Sequence, residues 1–135
     1  MPTLNSTRAR LEEIFILGWE EKTPIRFDNV IFDDKASESF VDLGLINYTT
    51  ENVTIGSGIT KRKRHIGVLS VTIFAEQNMG AGPAYAYADD VAEIMDNLSE
   101  VNLFTYASEV RRAGEEKEGG RYVLIVDVPY ISDEV

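Results

Sequence analysis

The residues that could support catalysis are few, and they form no recognisable catalytic set. His65 is the only histidine, and no serine or cysteine nucleophile motif accompanies it, so a Ser-His-Asp triad is not indicated. The acidic pairs Asp33-Asp34 and Asp89-Asp90 could serve acid–base or metal chemistry. Adjacent side chains point in different directions on a helix or a strand, which favours solvated surface carboxylates. We therefore expect a structural or surface role for His65, no metal, no cofactor and no enzymatic activity.

The glycine-rich turn Gly80-Ala81-Gly82 lies before a predicted helix, and a helix N-terminus can bind anions. No Lys-Ser/Thr pair follows it, which excludes a P-loop, and no dinucleotide fingerprint is present. The need of a tight turn for small residues with positive φ explains these glycines. A small ligand-binding or enzymatic domain using this turn and His65 is an alternative, and it would require a concave pocket with convergent polar groups.

A basic run, Lys61-Arg62-Lys63-Arg64, stands out in an acidic chain. The 135 residues carry 23 acidic and 13 basic side chains, for a net charge of −10. Such a balance disfavours tight binding to phosphate backbones, which needs clustered lysine and arginine. The run is either the solvated face of a strand or a contact with an acidic neighbour, most simply a second copy of this chain.

A strand, a turn and a helix between Arg64 and Leu98 organise the chain around them. The strand Arg64–Glu76 is rich in β-branched residues and presents a small or apolar residue at every second position. We expect this face to point inward: Gly67, Leu69, Val71, Ile73 and Ala75. After the turn, Pro83 suits a first helical position. The apolar stripe of this helix, which we expect to cover the strand, comprises Tyr85, Ala88, Val91, Ala92, Met95 and Leu98.

The other segments predict a first helix and further strands. They are a helix over Thr3–Trp19, an edge strand at Ile25–Phe27, a strand at Phe40–Tyr48, and a last strand at Arg121–Tyr130 after a turn at Gly114–Gly120. The stretch Val101–Arg112 suggests an extended segment but has a poor period. Pro129 cannot donate a ladder bond, so it marks a strand end or an edge. We expect the tail Ser132–Val135 to be frayed.

These elements predict a single α+β domain over residues 1–135, in the order α-β-β-β-α-β-β. The sheet is mostly antiparallel, with the two helices packed on one face. Turn signals at Glu51-Asn52 and Gly56-Ser57-Gly58, between strands too long for a compact core, predict a hairpin at about 40–76 that projects beyond the body. No cysteine, signal-like segment or apolar run of membrane-spanning length occurs, so we expect a soluble, cytoplasmic protein.

Three blocks of the sequence resemble phage tail terminator-like proteins, the minor tail proteins of long-tailed phages. The first and strongest is Arg64–Phe74 together with Gly80–Gly82 and the helix Ala84–Ala92. The second is Gly119–Tyr130, which ends in valine–proline–aromatic as closing strands of that family do. The third is the N-terminal helix followed by Pro24–Phe27. The basic run and the acidic turn Glu115-Glu116-Lys117-Glu118 have no counterpart that we can match to the family.

The resemblance implies a structural virion protein, assembled in the host cytoplasm, that forms a ring of six copies on the tail tube. Such a ring stops tube polymerisation and offers a surface to the head-completion or neck protein, while DNA passes through its centre without specific binding. Tail tube protein, neck protein and further copies of the chain are the implied partners, and no membrane is involved. A head–tail joining protein of similar fold is the alternative.

The expected contact residues lie in the hairpin and in the acidic turn. The hairpin offers open backbone edge groups and the basic run, and a head-to-tail contact closes into a ring when the rotation permits. The expected subunit interface comprises Val53, Ile55, Ile59, Lys61, Arg62, Lys63 and Arg64. The expected lumen-facing or tube-facing carboxylates are Glu115, Glu116 and Glu118.

Overall fold

The computed structural model describes residues 3–28, 30, 32, 38–52, 62–76, 79–116 and 120–134. Its helices are α1 (Leu4–Trp19) and α2 (Gly82–Met95), and its strands are β1 (Ile25–Phe27), β2 (Phe40–Asn52), β3 (Lys63–Ala75), β4 (Ser99–Glu100), β5 (Leu103–Thr105), β6 (Glu109–Glu115) and β7 (Tyr122–Glu134). Thr3 caps α1, and its hydroxyl accepts a 3.1 Å hydrogen bond from the Ser6 amide. Pro83 lies in the first turn of α2, as its missing N–H allows.

The strands form one mostly antiparallel sheet in the order β1-β2-β3-β7-β5-β4, with β6 beside β7 ahead of β5. Only β1 runs parallel to its neighbour, pairing Ile25–Phe27 with Val41–Leu43. The long strands β2, β3 and β7 form the centre, and β7 accompanies β3 over its whole length, from Ala75 opposite Tyr122 to Lys63 opposite Glu134. The predicted α+β class and antiparallel sheet are confirmed.

Both helices pack on the same face of the sheet, as predicted. The inner face of β3 is the expected one: Gly67, Leu69, Val71, Ile73 and Ala75 are all buried. The core that they enter contains Leu11, Phe15 and Trp19 of α1, Ala84, Ala88, Val91 and Met95 of α2, and Leu124, Val126, Val128 and Tyr130 of β7. Burial of this continuous apolar layer is the main force that holds the domain together.

The predicted stripe of α2 was wrong at its first position. Ala84 is fully buried, whereas Tyr85 is 45% exposed and lies beside Tyr122 of β7, whose hydroxyl raises the pKa of Tyr85. Helix α2 enters the core through an alanine, which lets its first turn lie close to the sheet. The phenol ring therefore lies at the rim of the core.

The C-terminal third confirms the extended segment predicted at Val101–Arg112, and it differs from the prediction at Pro129 and in the tail. The ambiguous stretch Val101–Arg112 contributes to β5 and β6, separated by a short unpaired segment. Strand β7 passes through Pro129, which is possible because its neighbour changes from β6 to β5 near this residue. At this point the Pro129 carbonyl accepts a 3.0 Å hydrogen bond from the Tyr106 amide. The Pro129 nitrogen, which has no proton to donate, lies where β7 changes partner. The tail expected to fray is held: Ser132 is fully buried.

Candidate functional site

The described part of the predicted hairpin is a three-stranded ribbon, which we call the arm. It consists of the end of β2 (Asn47–Asn52), the start of β3 (Lys63–Gly67) and the end of β7 (Tyr130–Glu134). Antiparallel pairing of β2 with β3 continues to Asn52 opposite Lys63, with a bulge at Tyr48. Strand β7 covers the other side of β3 to the same level. Beyond Leu43, β2 has no partner on its outer side within the described residues, so its backbone edge is open there. Whether the hairpin projects beyond the body stays a prediction, because residues 53–61 lie outside the described part.

A chain of polar side chains crosses the arm. The buried Tyr130 hydroxyl donates to Asn47 Oδ1 at 2.8 Å, and Asn47 Nδ2 donates to Thr50 Oγ1 at 3.0 Å. Thr50 Oγ1 in turn lies 2.8 Å from His65 Nδ1. His65 is 5% exposed, so the only histidine occupies a structural position that links β2 to β3.

The basic run is divided by the structure. Arg64 forms a bidentate ion pair with Asp133 of β7, at 2.8 and 3.2 Å, which lowers the pKa of the Asp133 carboxyl and raises that of Arg64. Its charge thus serves the chain's own fold. Arg62 and Lys63 are exposed at the start of β3. The other predicted interface residues, Val53, Ile55, Ile59 and Lys61, lie outside the described residues.

The two described carboxylates of the acidic turn have different surroundings. Glu116 accepts from Arg121 Nη1 at 2.8 Å, and the Arg121 side chain is 2% exposed. Arg121 Nε donates to the Glu38 carbonyl at 2.9 Å, and its guanidinium lies 5.0 Å from the Phe40 ring centroid. Glu115 is exposed. Glu118 lies outside the described residues.

The alternative of a ligand site at the glycine-rich turn and His65 gains no support from the grooves. Among the grooves lined by described residues, four of about 200 to 460 Å³ are open to solvent, and neither His65 nor Gly80 lines any of these four. Of the two acidic pairs, Asp90 forms an ion pair with Lys22, with 3.4 Å between Asp90 Oδ2 and Lys22 Nζ. Asp33 and Asp34 lie outside the described residues. In the described part of the chain, no three histidine or acidic residues are grouped to hold a metal ion.

Two of these grooves follow the flank of α1 next to β1 and β2. The first, about 460 Å³, is lined by Ile16, Glu21, Thr23, Pro24, Ile25 and Phe27. The second, about 440 Å³, is lined by Leu4, Asn5, Arg8, Leu45 and Asn47. The first lies beside β1 and the second beside the open stretch of β2. The sequence did not indicate this surface, because it depends on how a helix lies over a strand. Within the described residues no helix has the length and apolarity to cross a membrane.

Similarity to a solved structure extends over the whole fold. One solved chain aligns with a TM-score of 0.62, covering 98% of this chain and 96% of that chain, at 11% sequence identity. At that identity the likeness establishes the fold alone. The search of curated protein sequences found no match.

A family assignment comes from the sequence itself. The profile of the family described as phage tail terminator protein matches residues 5–130, which is nearly the whole chain. The match spans both helices and the sheet from β1 into β7, so it describes the domain and not a local motif. It confirms the resemblance found in the sequence, and it makes a structural role in the phage tail the function of the family. The chain belongs to the phage tail terminator protein family.

Proposed function

We propose that this protein forms a closed ring of six copies on the end of the phage tail tube, where it stops tube polymerisation and presents a surface to the head-completion or neck protein. The ring is assembled in the host cytoplasm and has no enzymatic role. The observation that carries the proposal is the family match over residues 5–130, joined to a sheet whose β2 edge is open to a neighbour.

The charge of the chain suits a passage for DNA. Each copy carries a net charge of −10, and a lumen lined by carboxylates repels phosphate and prevents specific binding. Our candidates for the lumen-facing or tube-facing surface are the exposed Glu115, the half-buried Glu116, and Glu118, which lies outside the described residues. The Glu116 carboxylate already compensates the charge of Arg121. We therefore propose that Glu115 and Glu118 contribute more negative charge to the lumen than Glu116 does.

The same charge requires specific contacts between subunits. Exposed ion pairs contribute only about 0–1 kcal/mol each, so rim charges alone cannot hold an acidic ring together. We propose that the hairpin contributes both backbone edge groups and the basic residues Lys61, Arg62 and Lys63, with Val53, Ile55 and Ile59 as its apolar part. Arg64 belongs to this surface but has its charge compensated by Asp133.

The test is the mass of the protein in solution, followed by its effect on tubes. Sedimentation over a range of concentration and salt should give a closed six-fold species, or capped ends should appear by electron microscopy when purified tail tubes are added. Absence of both would refute the terminator role. Binding to heads without capping of tubes would instead favour a head–tail joining protein.

A charge-reversal variant tests the proposed contact through the hairpin. Replacing Arg62 and Lys63 together by glutamate should weaken ring formation while the subunit stays folded, because both side chains are exposed. Lys22→Glu, outside the arm, is compared with Lys63→Glu, which adds the same negative charge. Circular dichroism checks its fold, because Lys22 Nζ also lies 3.4 Å from Asp90 Oδ2. Normal assembly of the Arg62→Glu/Lys63→Glu protein would remove the basic run from the interface.

A further inference from the structure

Within the described residues, the sheet ends in β1 and the outer part of β2 on one side, and in β6 and the two-residue β4 on the other. At one end lie β1 and the stretch of β2 beyond it, Ile25–Asp28 and Gly44–Asn52, which we call the β1–β2 edge. At the other end lies β6, seven residues long and paired only with β7 within the described residues. Neither edge carries a proline, so both present unpaired backbone groups, which favour addition of another strand.

The strand directions make these edges complementary. Strands β2, β3, β7 and β6 are neighbours in that order, and each pair is antiparallel. Therefore β6 runs antiparallel to β2. When β6 of one copy lies against the β1–β2 edge of the next, the sheet continues in the antiparallel sense with the helices of both copies on the same side. The contact joins two different surfaces, so it can be repeated from copy to copy around a ring.

The side chains on the helix-bearing face also match. Val110 of β6 lies opposite Val126, whose side chain is in the core, so Val110 is on the helix-bearing face, and it is 44% exposed. On the same face of the β1–β2 edge are the two grooves beside α1. The first is lined mainly by apolar residues that include Ile16 and Ile25, and the second has Leu4 and Leu45 among polar neighbours. An added β6 would bring Val110 to these grooves.

The opposite face of the sheet offers a pair of opposite charges. Arg111 lies opposite Ile125 on that face; it is mostly exposed and reaches Asp127 only through Nε, at 3.3 Å. At the β1–β2 edge, the Asp28 carboxylate lies over Gly44, where an added Cβ would come within 3.3 Å of Asp28 Oδ2. Asp28 is exposed and has no hydrogen bond or ion pair within the described residues. It marks the point at which β1 ends and the β2 edge opens.

We propose that β6 of one copy adds to the β1–β2 edge of a second copy, with Arg111 paired to Asp28 and Val110 in the grooves beside α1. This inference rests on the proposed ring and names the two elements that meet in it. It extends the hairpin contact, because the open edge of β2 is the outer edge of the arm.

Cysteine cross-linking tests the contact directly, because the natural chain contains no cysteine. In the Asp28→Cys/Arg111→Cys protein, a short bismaleimide should join copies into a ladder of covalent oligomers up to the closed ring. Each single-cysteine variant should stay monomeric on the gel. Val101→Cys/Arg111→Cys is the control for random collision, because Val101 is exposed in the turn between β4 and β5, away from the β1–β2 edge.

The reaction is run at the highest concentration used for the mass measurement and again with tail tubes present. A ladder that stops at dimers, a single variant that dimerises, or no ladder in either condition would overturn the edge contact. The ring itself is judged separately, by the mass and tube experiments. A six-fold ring without a ladder therefore rejects this inference and leaves the proposed function intact.

A charge exchange provides the second readout. Asp28→Arg and Arg111→Asp should each raise the concentration for half-assembly at least about fivefold, because each places like charges at the contact. The double exchange should recover most of that loss. Circular dichroism checks that each variant is folded, since Arg111→Asp also faces Asp127. No recovery in a folded double variant would overturn the Asp28–Arg111 pair.

Discussion

The Tyr130 hydroxyl donates a 2.8 Å hydrogen bond to Asn47 Oδ1, joining two residues 83 positions apart. Tyr130 belongs to β7 and is fully buried in the core, and burial raises the pKa of its phenol to about 12. Asn47 stands next to the bulge of β2 at Tyr48. The bond therefore joins β7 to β2 at the bulge, and it lies between the core and the proposed assembly edge.

The first prediction concerns alkaline stability. Because the folded pKa of Tyr130 is above the value of about 10 for an unfolded chain, the folded state keeps its proton longer, and stability falls as pH rises from about 10 towards 12. Tyr130→Phe should reduce this decline and cost about 1 kcal/mol at neutral pH through the lost hydrogen bond. Urea unfolding at several pH values measures both effects. Tyr48→Phe, at an exposed tyrosine, should change neither, and an unaltered alkaline decline in Tyr130→Phe would contradict the assignment.

The second prediction concerns Gly67, which pairs with both Asn47 and Tyr130. A Cβ built on Gly67 would lie 2.0 Å from the Ile46 carbonyl oxygen, so the bulged strand must move to accept it. We expect Gly67→Ala to lower the free energy of unfolding by about 2–4 kcal/mol. Gly82→Ala, where nothing lies within 4 Å of the added methyl, should stay within about 1 kcal/mol of the natural chain. Equal effects of the two substitutions in thermal unfolding would contradict the close approach.

The third prediction concerns the C-terminal end of β7. The hydroxyls of Thr7 and Ser132 are 2.6 Å apart, and both residues are buried. Ser132→Ala should cost about 1–3 kcal/mol because the Thr7 hydroxyl is left buried without this partner. In the Ser132→Ala background, Thr7→Val should lower the free energy of unfolding by less than it does in the natural chain, because no buried hydroxyl is then left without a partner. A double-mutant cycle in urea measures this coupling, and simple additivity would show that the bond does not hold α1 to β7.

The fold was largely predictable where one periodic pattern dominated. Alternation in β3 identified Val71 and Ile73 as inward-facing, because a strand with one buried face leaves no freedom of register. The helical period identified α1 and most of α2. Tyr85 was assigned wrongly because a tyrosine counts as apolar in a stripe, although a buried phenol needs a partner and lies easily at a rim.

The candidate assembly surface was less predictable, because it depends on which strands are neighbours. The Glu109–Glu115 sequence has no apolar alternation, and it is a strand only because β7 offers it a ladder. Pro129 by itself indicates a strand end or an edge, since nothing local in the sequence shows that β7 changes partner there. Asp28 and Arg111 are 83 positions apart and do not meet within one copy. The sequence could indicate the open hairpin edge but not the strand that we propose to add to it.

The last prediction separates two neighbouring carboxylates. Glu116 compensates the buried guanidinium of Arg121, whereas Glu115 is exposed. Glu116→Gln should lower the free energy of unfolding by about 1–3 kcal/mol, because a hydrogen bond to a charged group is replaced by a weaker one. Glu115→Gln should change it by no more than about 0.5 kcal/mol. Both variants remove one negative charge from the same turn, so a difference in urea unfolding reports the ion pair alone. Equal stability would mean that the other contacts of Arg121 suffice to compensate its charge. With the predicted difference, Glu115→Gln becomes the variant that tests the lumen charge without weakening the fold.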